Sequence, residues 1–353
     1  MNIRFEPNFL PLLDAAALIT RVYNAQFDGG EESVDTYFGE FAKKHHLPES
    51  AFASYTEPLR ALERDVMASI SFLDDDRMDF FFHLDDKQSC RQSPATAISY
   101  YFSFPDQCTD REETRLHLSS ACLPSEDTEP FPTKEALFAA LESSASPYSD
   151  RLRWRTFLLY QHFFDYAEEI RPVLETAANV YERHRSFIDS AIQNAFSRMK
   201  EKLGDRPAEM LSVHYHFTAD FDELVVRPMI GEFHSLSFFS NFTNDFFLGI
   251  YVDVIIDLKA AYSADFDAFA DPLKAIDDKN RFQILLALAK GPLCGQDLCA
   301  MLNLSPATVS HHMNLLIGAD FVSVEKIGTR IFYQYRQSSI AAFLDELRGC
   351  LCE

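Results

Sequence analysis

Two cysteines near the carboxyl end of the chain have side chains able to bind a soft metal ion. Cys294 and Cys299 are separated by four residues. Such an ion is held firmly only when three or more thiolate or imidazole ligands surround it. Two thiols are too few unless Cys350 or Cys352, from the same chain or from a partner subunit, completes the set. We therefore predict no metal site and no cofactor, with metal sensing by Cys294 and Cys299 as an alternative.

Histidine pairs offer a second set of metal ligands. His311 and His312 are adjacent in a stretch with helical spacing. Adjacent side chains on a helix point about 100° apart, so these two do not face a common ion. His214 and His216 alternate, which in a strand would place both on one face. A partly exposed polar face is the more typical role of such a pair, and we expect no metal there.

The first 260 residues contain no catalytic motif. They have no phosphate-binding loop, no nucleophile elbow and no dinucleotide fingerprint. Acidic runs such as Asp74-Asp75-Asp76 are typical of solvated surfaces. The sequence therefore predicts a protein that is not an enzyme.

The stretch NLSPATVSHHMNLL, residues 303–316, predicts a capped helix after a tight turn. Ser305 followed by Pro306 is a common helix start. Val309, Met313 and Leu316 recur at helical spacing and are expected to face a core. The polar side chains that remain have the right reach for the edges of bases in a DNA major groove.

The neighbouring segments place this helix in a larger unit. One or two helices are expected over 271–290, a short helix over 294–302, a β-hairpin around 327–329 and a final helix after it. A short helix, a three-residue turn and a second helix form a helix-turn-helix, and the hairpin forms a wing. The predicted DNA-binding residues are Ser305, Ala307, Thr308, Ser310, His311 and His312 on the helix, and Lys326 and Arg330 on the wing.

This unit resembles the ArsR-type bacterial repressors. The resemblance rests on ADPLKAIDDKNRFQILLAL and on GPLCGQDLCAMLNLSPATVSHHMNLLIGADFVSVEKIGTRIFYQY, less than a quarter of the chain. It implies a winged helix-turn-helix that binds DNA. Metal-sensing members carry Cys-x-Cys on the helix before the turn, whereas here Gln296 stands where the central thiol would be. The helix that begins at Ser305 would be the recognition helix. It has no Lys or Arg, which departs from many DNA-binding proteins.

The rest of the chain has a different pattern. Residues 1–210 are expected to form a mainly helical acidic domain for sensing or dimerisation, with Pro172 breaking or kinking a long helical run. Residues 211–260 alternate as strands do and are expected to add a small antiparallel sheet to that domain. A winged helix-turn-helix domain follows at 271–353. The predicted fold class is α+β, mainly α.

Composition limits the remaining options. The chain of 353 residues has a net charge of −22, but from Asp271 to Glu353 there are eight Lys and Arg residues against nine Asp and Glu residues. The acidity therefore belongs to the first 270 residues. Seven cysteines, no signal peptide and no apolar run of about 18 residues predict free thiols, a cytoplasmic protein and no membrane contact.

Together these observations predict a homodimeric repressor that binds double-stranded operator DNA and is controlled by a small-molecule effector of its amino-terminal domain. A protein-interaction module with a degenerate winged domain is the alternative from another class. The absence of Lys and Arg from the recognition helix favours the alternative. The residues that favour DNA binding are Ser305, Thr308, Ser310, His311 and Arg330.

Overall fold

The fold is mainly helical with two small sheets, as predicted. The computed structural model describes residues 2–27, 33–44, 47–84, 92–123, 131–143, 148–215, 217–219, 223–238, 245–262, 267–327 and 330–352. The proposed pairing of His214 with His216 lies outside the described residues, because His216 is not among them. The side chains of Cys350 and Cys352 are not described either. No helix among the described residues is long and apolar enough to span a membrane.

The amino-terminal part is built around helices, with short 3₁₀ turns at Glu49–Phe52 and Glu182–His184. The helices are α1 (Pro11–Asn24), α2 (Val34–Lys44), α3 (Ala53–Ser69), α4 (Asp75–Phe82), α5 (Pro94–Ser103), α6 (Arg111–Ser120), α7 (Lys134–Glu142), α8 (Asp150–Gln161), α9 (Phe163–Tyr181), α10 (Arg185–Leu203), α11 (Pro207–Tyr215) and α12 (Val252–Tyr262). Its strands are β1 (Asn2–Phe5), β2 (Phe217–Ala219), β3 (Glu223–Met229), β4 (Leu236–Phe238) and β5 (Asp245–Gly249).

The carboxyl-terminal part has the predicted order of elements. It comprises α13 (Asp267–Ile276), α14 (Lys279–Leu288), β6 (Leu293–Cys294), α15 (Gly295–Leu302), α16 (Pro306–Gly318), β7 (Val322–Ile327), β8 (Arg330–Tyr335) and α17 (Gln337–Cys352). Strands β7 and β8 pair antiparallel, and β6 pairs with β8. The helix-turn-helix and its wing are thus both present.

The structure corrects one expectation about the amino-terminal helices and strands and narrows another. Residues 211–215 belong to α11 rather than to a strand, because Leu211 and Tyr215, four residues apart, are both buried. At Pro172, which was expected to break or kink the helical run, α9 is not broken and continues to Tyr181. The buried side chains on both sides of Pro172, among them Ile170 and Leu174, hold this helix against the core.

The first sheet was expected to be antiparallel, but it is mixed. Its strand order is β1-β3-β5-β4, and β1 pairs with β3, and β3 with β5, in parallel. Within the part of the sheet that the structure describes, β4 and β5 are the one antiparallel pair. Every residue of β5 is buried, which is typical of a strand covered on both faces. The parallel pairing requires long crossovers, and the helices between β1 and β3 supply one.

Buried apolar side chains form separate clusters in the two parts. One cluster contains buried residues from Phe9 to Ile255, and a second contains those from Ala275 to Phe343. A smaller third cluster lies between Leu116 and Tyr160. We refer to the first part as the amino-terminal unit and to the second as the winged unit. The domain boundaries at 210 and 271 stay predictions.

Candidate nucleic-acid interface

The turn between α15 and α16 is tight because Asn303 adopts a left-handed conformation. Its φ is 53°, a conformation that asparagine tolerates better than most residues. The backbone N–H of Leu304 then donates to the carbonyl oxygen of Cys299 at 3.2 Å, which closes the end of α15. The side chain of Leu304 packs against the core of the winged unit. The turn therefore fixes the direction in which α16 begins.

Ser305 caps α16, as predicted. Its hydroxyl oxygen accepts a hydrogen bond from the backbone N–H of Thr308 at 3.2 Å, and the two hydroxyl groups lie 2.8 Å apart. Pro306 occupies the first helical position, where its missing N–H has no cost. The remaining N–H groups of this first turn and the positive end of the helix dipole are suited to a phosphate group.

The two sides of α16 differ in burial. Val309, Met313 and Leu316 are buried in the core of the winged unit, as the sequence predicted. The predicted DNA-binding residues Ala307, Thr308, Ser310 and His311 are only partly buried. The helix thus keeps its small and polar side chains towards solvent over its first two turns. This is the side that a major groove would meet.

His312 does not lie on that exposed side, which corrects the prediction for this residue. Only 7% of it is exposed, and neither ring nitrogen has a hydrogen-bond partner among the described residues. Its Nδ1 lies 3.8 Å from Oδ1 of Asp278. His312 is three residues after Val309 and four before Leu316, so helical spacing places it on the core side. Burial lowers the pKa of its imidazole, an effect that the carboxylate of Asp278 opposes.

On the wing, one predicted residue is exposed and the other is not. Arg330 is exposed at the start of β8, where it can reach the DNA backbone. Lys326 is only 4% exposed, so the expectation of a direct phosphate contact is wrong for the conformation described. Lys326 shares a face of β7 with the buried Val322, because strand side chains alternate. Burial lowers the pKa of its ammonium group.

Each of the two candidate metal-binding cysteines contributes to the folding of the winged unit, one at a helix start and the other beside the core. Cys294 is buried just before α15, and its backbone N–H and its thiol each lie 3.1 Å from Oδ2 of Asp297. The pair forms a capping box in which a thiol replaces the usual hydroxyl. Cys299 is half-buried against the core. Within the described residues, no group of three or more His, Cys, Asp or Glu side chains is placed to bind a metal ion.

The sequence reasoning missed the residues that join α13 to α14. Asp278 caps α14 by accepting from the backbone N–H groups of Asn280 and Arg281, and these bonds lower the pKa of its carboxyl. The buried guanidinium of Arg281 donates back to the carbonyl oxygens of Ala275 and Lys274 at 2.9 and 2.7 Å. The signal was present, since an aspartate before a helical run is a common N-cap.

Helix α15, the tight turn, the capped helix α16 and the hairpin define a winged helix-turn-helix, a class of DNA-binding domain. We refer to α16 as the reading helix. The family profile described as "Bacterial regulatory protein, arsR family" matches residues 278–324. The arsenical resistance operon repressor of Staphylococcus aureus is 31% identical over 88 residues, which are 23% of this chain and 85% of that protein. The transcriptional repressor SdpR of Bacillus subtilis is 37% identical over 60 residues, 17% of this chain and 67% of that protein.

Among solved structures, HlyU from Vibrio cholerae is similar, with 25% identity and a TM-score of 0.22. The match spans 26% of this chain and 99% of the HlyU chain. The match to the family profile lies in the winged unit, and the S. aureus repressor is covered over most of its length. The chain belongs to the arsR family of bacterial regulatory proteins and is a DNA-binding transcriptional regulator. The amino-terminal unit is additional to the part that these relatives match.

Proposed function

We propose that the protein is a homodimeric repressor that binds a palindromic operator through α16. The observation that carries this proposal is the division of α16 into a buried apolar side and a partly exposed polar side. Two of the relatives that match are themselves named as repressors. This favours a repressor over an activator.

Specific recognition would come from the first two turns of α16. Ser310 and His311 would donate to or accept from base edges, and Ala307 would contact a thymine methyl group. Ser305 and Thr308 hold each other through their hydroxyl groups, so they would position the helix N-terminus against a phosphate. Arg330 would contact the backbone or minor groove next to the wing.

Binding would depend only weakly on salt. The reading helix contains no Lys or Arg, and Lys326 is buried. Each neutralised phosphate steepens the dependence of log affinity on log salt by about 0.9 for B-DNA. A small number of phosphate contacts therefore predicts a shallow slope for an operator-binding dimer.

Dimerisation would use exposed apolar side chains of the winged unit. Leu273 on α13 and Leu344 on α17 are both exposed, and these two helices pack against each other through Phe269 and Phe343. Large exposed apolar side chains on neighbouring helices mark an interaction surface. Two reading helices in such a dimer would enter successive major grooves roughly 34 Å apart.

The amino-terminal unit would be the site of control by an effector. It has its own apolar core, distinct from that of the winged unit. It also carries nearly all of the acidic excess.

Retention of genomic DNA by the purified protein tests the proposal. Sheared DNA is bound at near-physiological salt, and the retained fragments are sequenced. We expect enrichment of one or a few palindromic sites, and the double variant Ser310→Ala, His311→Ala should lose specific binding to them while its mass in solution stays that of the wild type.

The matched control replaces two exposed residues at the start of α17, away from the reading helix, as Gln337→Ala with Ser338→Ala. This variant should bind as the wild type does. Normal operator binding by the Ser310→Ala, His311→Ala protein would show that α16 does not read the site. No enrichment with any variant would favour a protein-interaction module instead.

A further inference from the structure

The wing of this protein has an additional edge strand that comes from the amino-terminal unit. Strand β2 pairs in parallel with β7, so that the second sheet has the order β2-β7-β8-β6. Phe217 lies opposite Val324, Thr218 opposite Glu325 and Ala219 opposite Lys326. The outer edge of the wing, which would otherwise present unpaired backbone groups, is therefore covered.

The chain around β2 is anchored in the amino-terminal unit on both sides. Two residues before β2, the hydroxyl of Tyr215 donates to Oδ1 of the buried Asp253 at 2.7 Å, and Nζ of Lys202 lies 3.1 Å from the same oxygen. Four residues after Ala219, the chain enters β3 at Glu223, beside β1. One residue spans at most about 3.6 Å, so these short connections hold the amino-terminal unit close to the wing.

This arrangement has two consequences for DNA binding. First, Lys326 is flanked by β2 on one side and by Ile331 of β8 on the other, and it is almost completely buried. Second, the unit held beside the wing contains 45 of the 54 acidic residues but only 24 of the 32 basic ones. Its negative charge repels the phosphates that a wing contacts.

We propose that β2 is an autoinhibitory strand, which keeps Lys326 and the wing from DNA while it is paired with β7 and permits wing contacts when it is released. The inference rests on the proposed function, because it concerns the regulation of the same DNA-binding surface. A strand of three residues forms few hydrogen bonds, so a modest rearrangement of α11 in the amino-terminal unit is enough to release it. An effector bound in that unit would act on the wing by this route.

Release of the strand is tested in the full chain with Thr218→Pro. Proline donates no backbone hydrogen bond, and an edge strand accommodates it only where the replaced N–H faces solvent. We expect affinity for the enriched operator DNA, measured by fluorescence anisotropy, to rise about tenfold as repulsion is relieved and Lys326 becomes available. The slope of log affinity against log salt should steepen by about 0.9 per released lysine. Thr218→Ala, which keeps the backbone N–H, should bind as the wild type does.

Two further variants connect the effect to the contact itself. Adding Lys326→Gln to Thr218→Pro should remove the steeper salt dependence. Thr218→Cys with Glu325→Cys places two thiols at directly paired positions, and an oxidised bond between them, checked by mass spectrometry, locks the strand. The locked protein should bind operator at least about tenfold more weakly than the same protein after reduction. The wild type with and without reductant is the control for the native cysteines.

The outcomes separate the two proposals. Weaker or unchanged binding by Thr218→Pro, or equal binding by the locked and reduced proteins, would overturn autoinhibition while leaving operator recognition by α16 in place. Failure of every variant to retain specific DNA would overturn the proposed function and, with it, the inference. The lock does not depend on the folding of the proline variant.

Discussion

Two buried ionisable side chains, Asp14 in the amino-terminal unit and His312 in the winged unit, have opposite surroundings. In the amino-terminal unit, Asp14 is fully buried, and its carboxylate accepts from the backbone N–H groups of Ile230 and Gly231 and from the hydroxyl of Tyr181, at 2.7–2.9 Å. In the winged unit, His312 is buried with neither ring nitrogen hydrogen-bonded. One site is saturated with partners, whereas the other has only a carboxylate 3.8 Å away.

This difference indicates different roles for the two buried groups. The bonds of Asp14 join α1 to the turn after β3, and Nε of Arg21, from the same helix, donates to the carbonyl oxygen of Gly231 at 2.6 Å. Such a network fixes one arrangement of helix and sheet. His312 joins α16 to the start of α14 only through the field of Asp278, so it fixes the reading helix much less firmly.

The largest effect should come from breaking the tight junction at Gly231. A Cβ atom there would lie 2.6 Å from the carbonyl oxygen of Asp14 and 2.6 Å from the backbone nitrogen of Leu18, neither of which can move alone. We expect Gly231→Ala to lower the free energy of unfolding by about 3 kcal/mol or more, measured by urea denaturation.

Gly39→Ala is the matched control for this substitution. It lies within α2 with no atom within 4 Å of an added Cβ, and it should stabilise slightly through helix propensity. Equal effects of the two substitutions would show that α1 does not approach Gly231 as closely as described.

The second effect concerns the charge of Asp14. Burial, the largest influence, raises its pKa to about 6 although its hydrogen bonds and Arg21 oppose this. Between pH 3.8 and about pH 6, the folded state therefore binds a proton that the unfolded state has released. The stability that this proton contributes is complete below pH 3.8 and is lost as the pH rises through 6. A difference of about two pKa units corresponds to about 3 kcal/mol.

Replacement of the carboxyl group checks this behaviour. Asp14→Asn cannot titrate, and it leaves one of the two backbone N–H groups without an acceptor. The stability difference between the wild type and the variant, from urea unfolding curves, should therefore be larger at pH 4 than at pH 7. A difference that grows with rising pH would show that the hydrogen bonds outweigh burial.

The comparison also explains what the sequence could and could not reveal. Local signals were sufficient for the winged unit, since the cap at Ser305, the turn and the spacing of Val309, Met313 and Leu316 all act within a few residues. His312 and Lys326 were assigned to the surface because of their residue types. The position of His312 relative to Val309 places it on the core side, whereas Lys326 is buried where β2 pairs with β7, and no local pattern shows that pairing.

The non-local features had no comparable signal. Strand β1 pairs with β3 across more than 200 residues, with Asn2 opposite Glu223, and β2 joins a sheet built around the wing. A hydrophobic pattern indicates that a strand is buried but does not indicate which strand it pairs with. The bonds of Asp14 to Ile230 and Gly231 likewise depend on the path of the chain between them.

The smallest effect should come from His312, and its sign is opposite to that of Asp14. Burial lowers the pKa of this imidazole from 6.5, so the unfolded state binds a proton that the folded state resists. Stability contributed by the neutral ring is complete above pH 6.5 and declines as the pH falls below it. Between pH 7 and pH 5, acidification should therefore favour the site of Asp14 and disfavour that of His312.

His312→Gln keeps a polar side chain that does not titrate, and it isolates this effect. The loss of unfolding free energy between pH 7 and pH 5 should be smaller in the variant than in the wild type. His312→Leu should show the same reduced pH dependence and should be no less stable at pH 7, because it removes a buried polar group that lacks hydrogen bonds. If both variants keep the pH dependence of the wild type, the field of Asp278 compensates for burial. His312 and Asp14 then do not contribute to the pH dependence of stability with opposite signs.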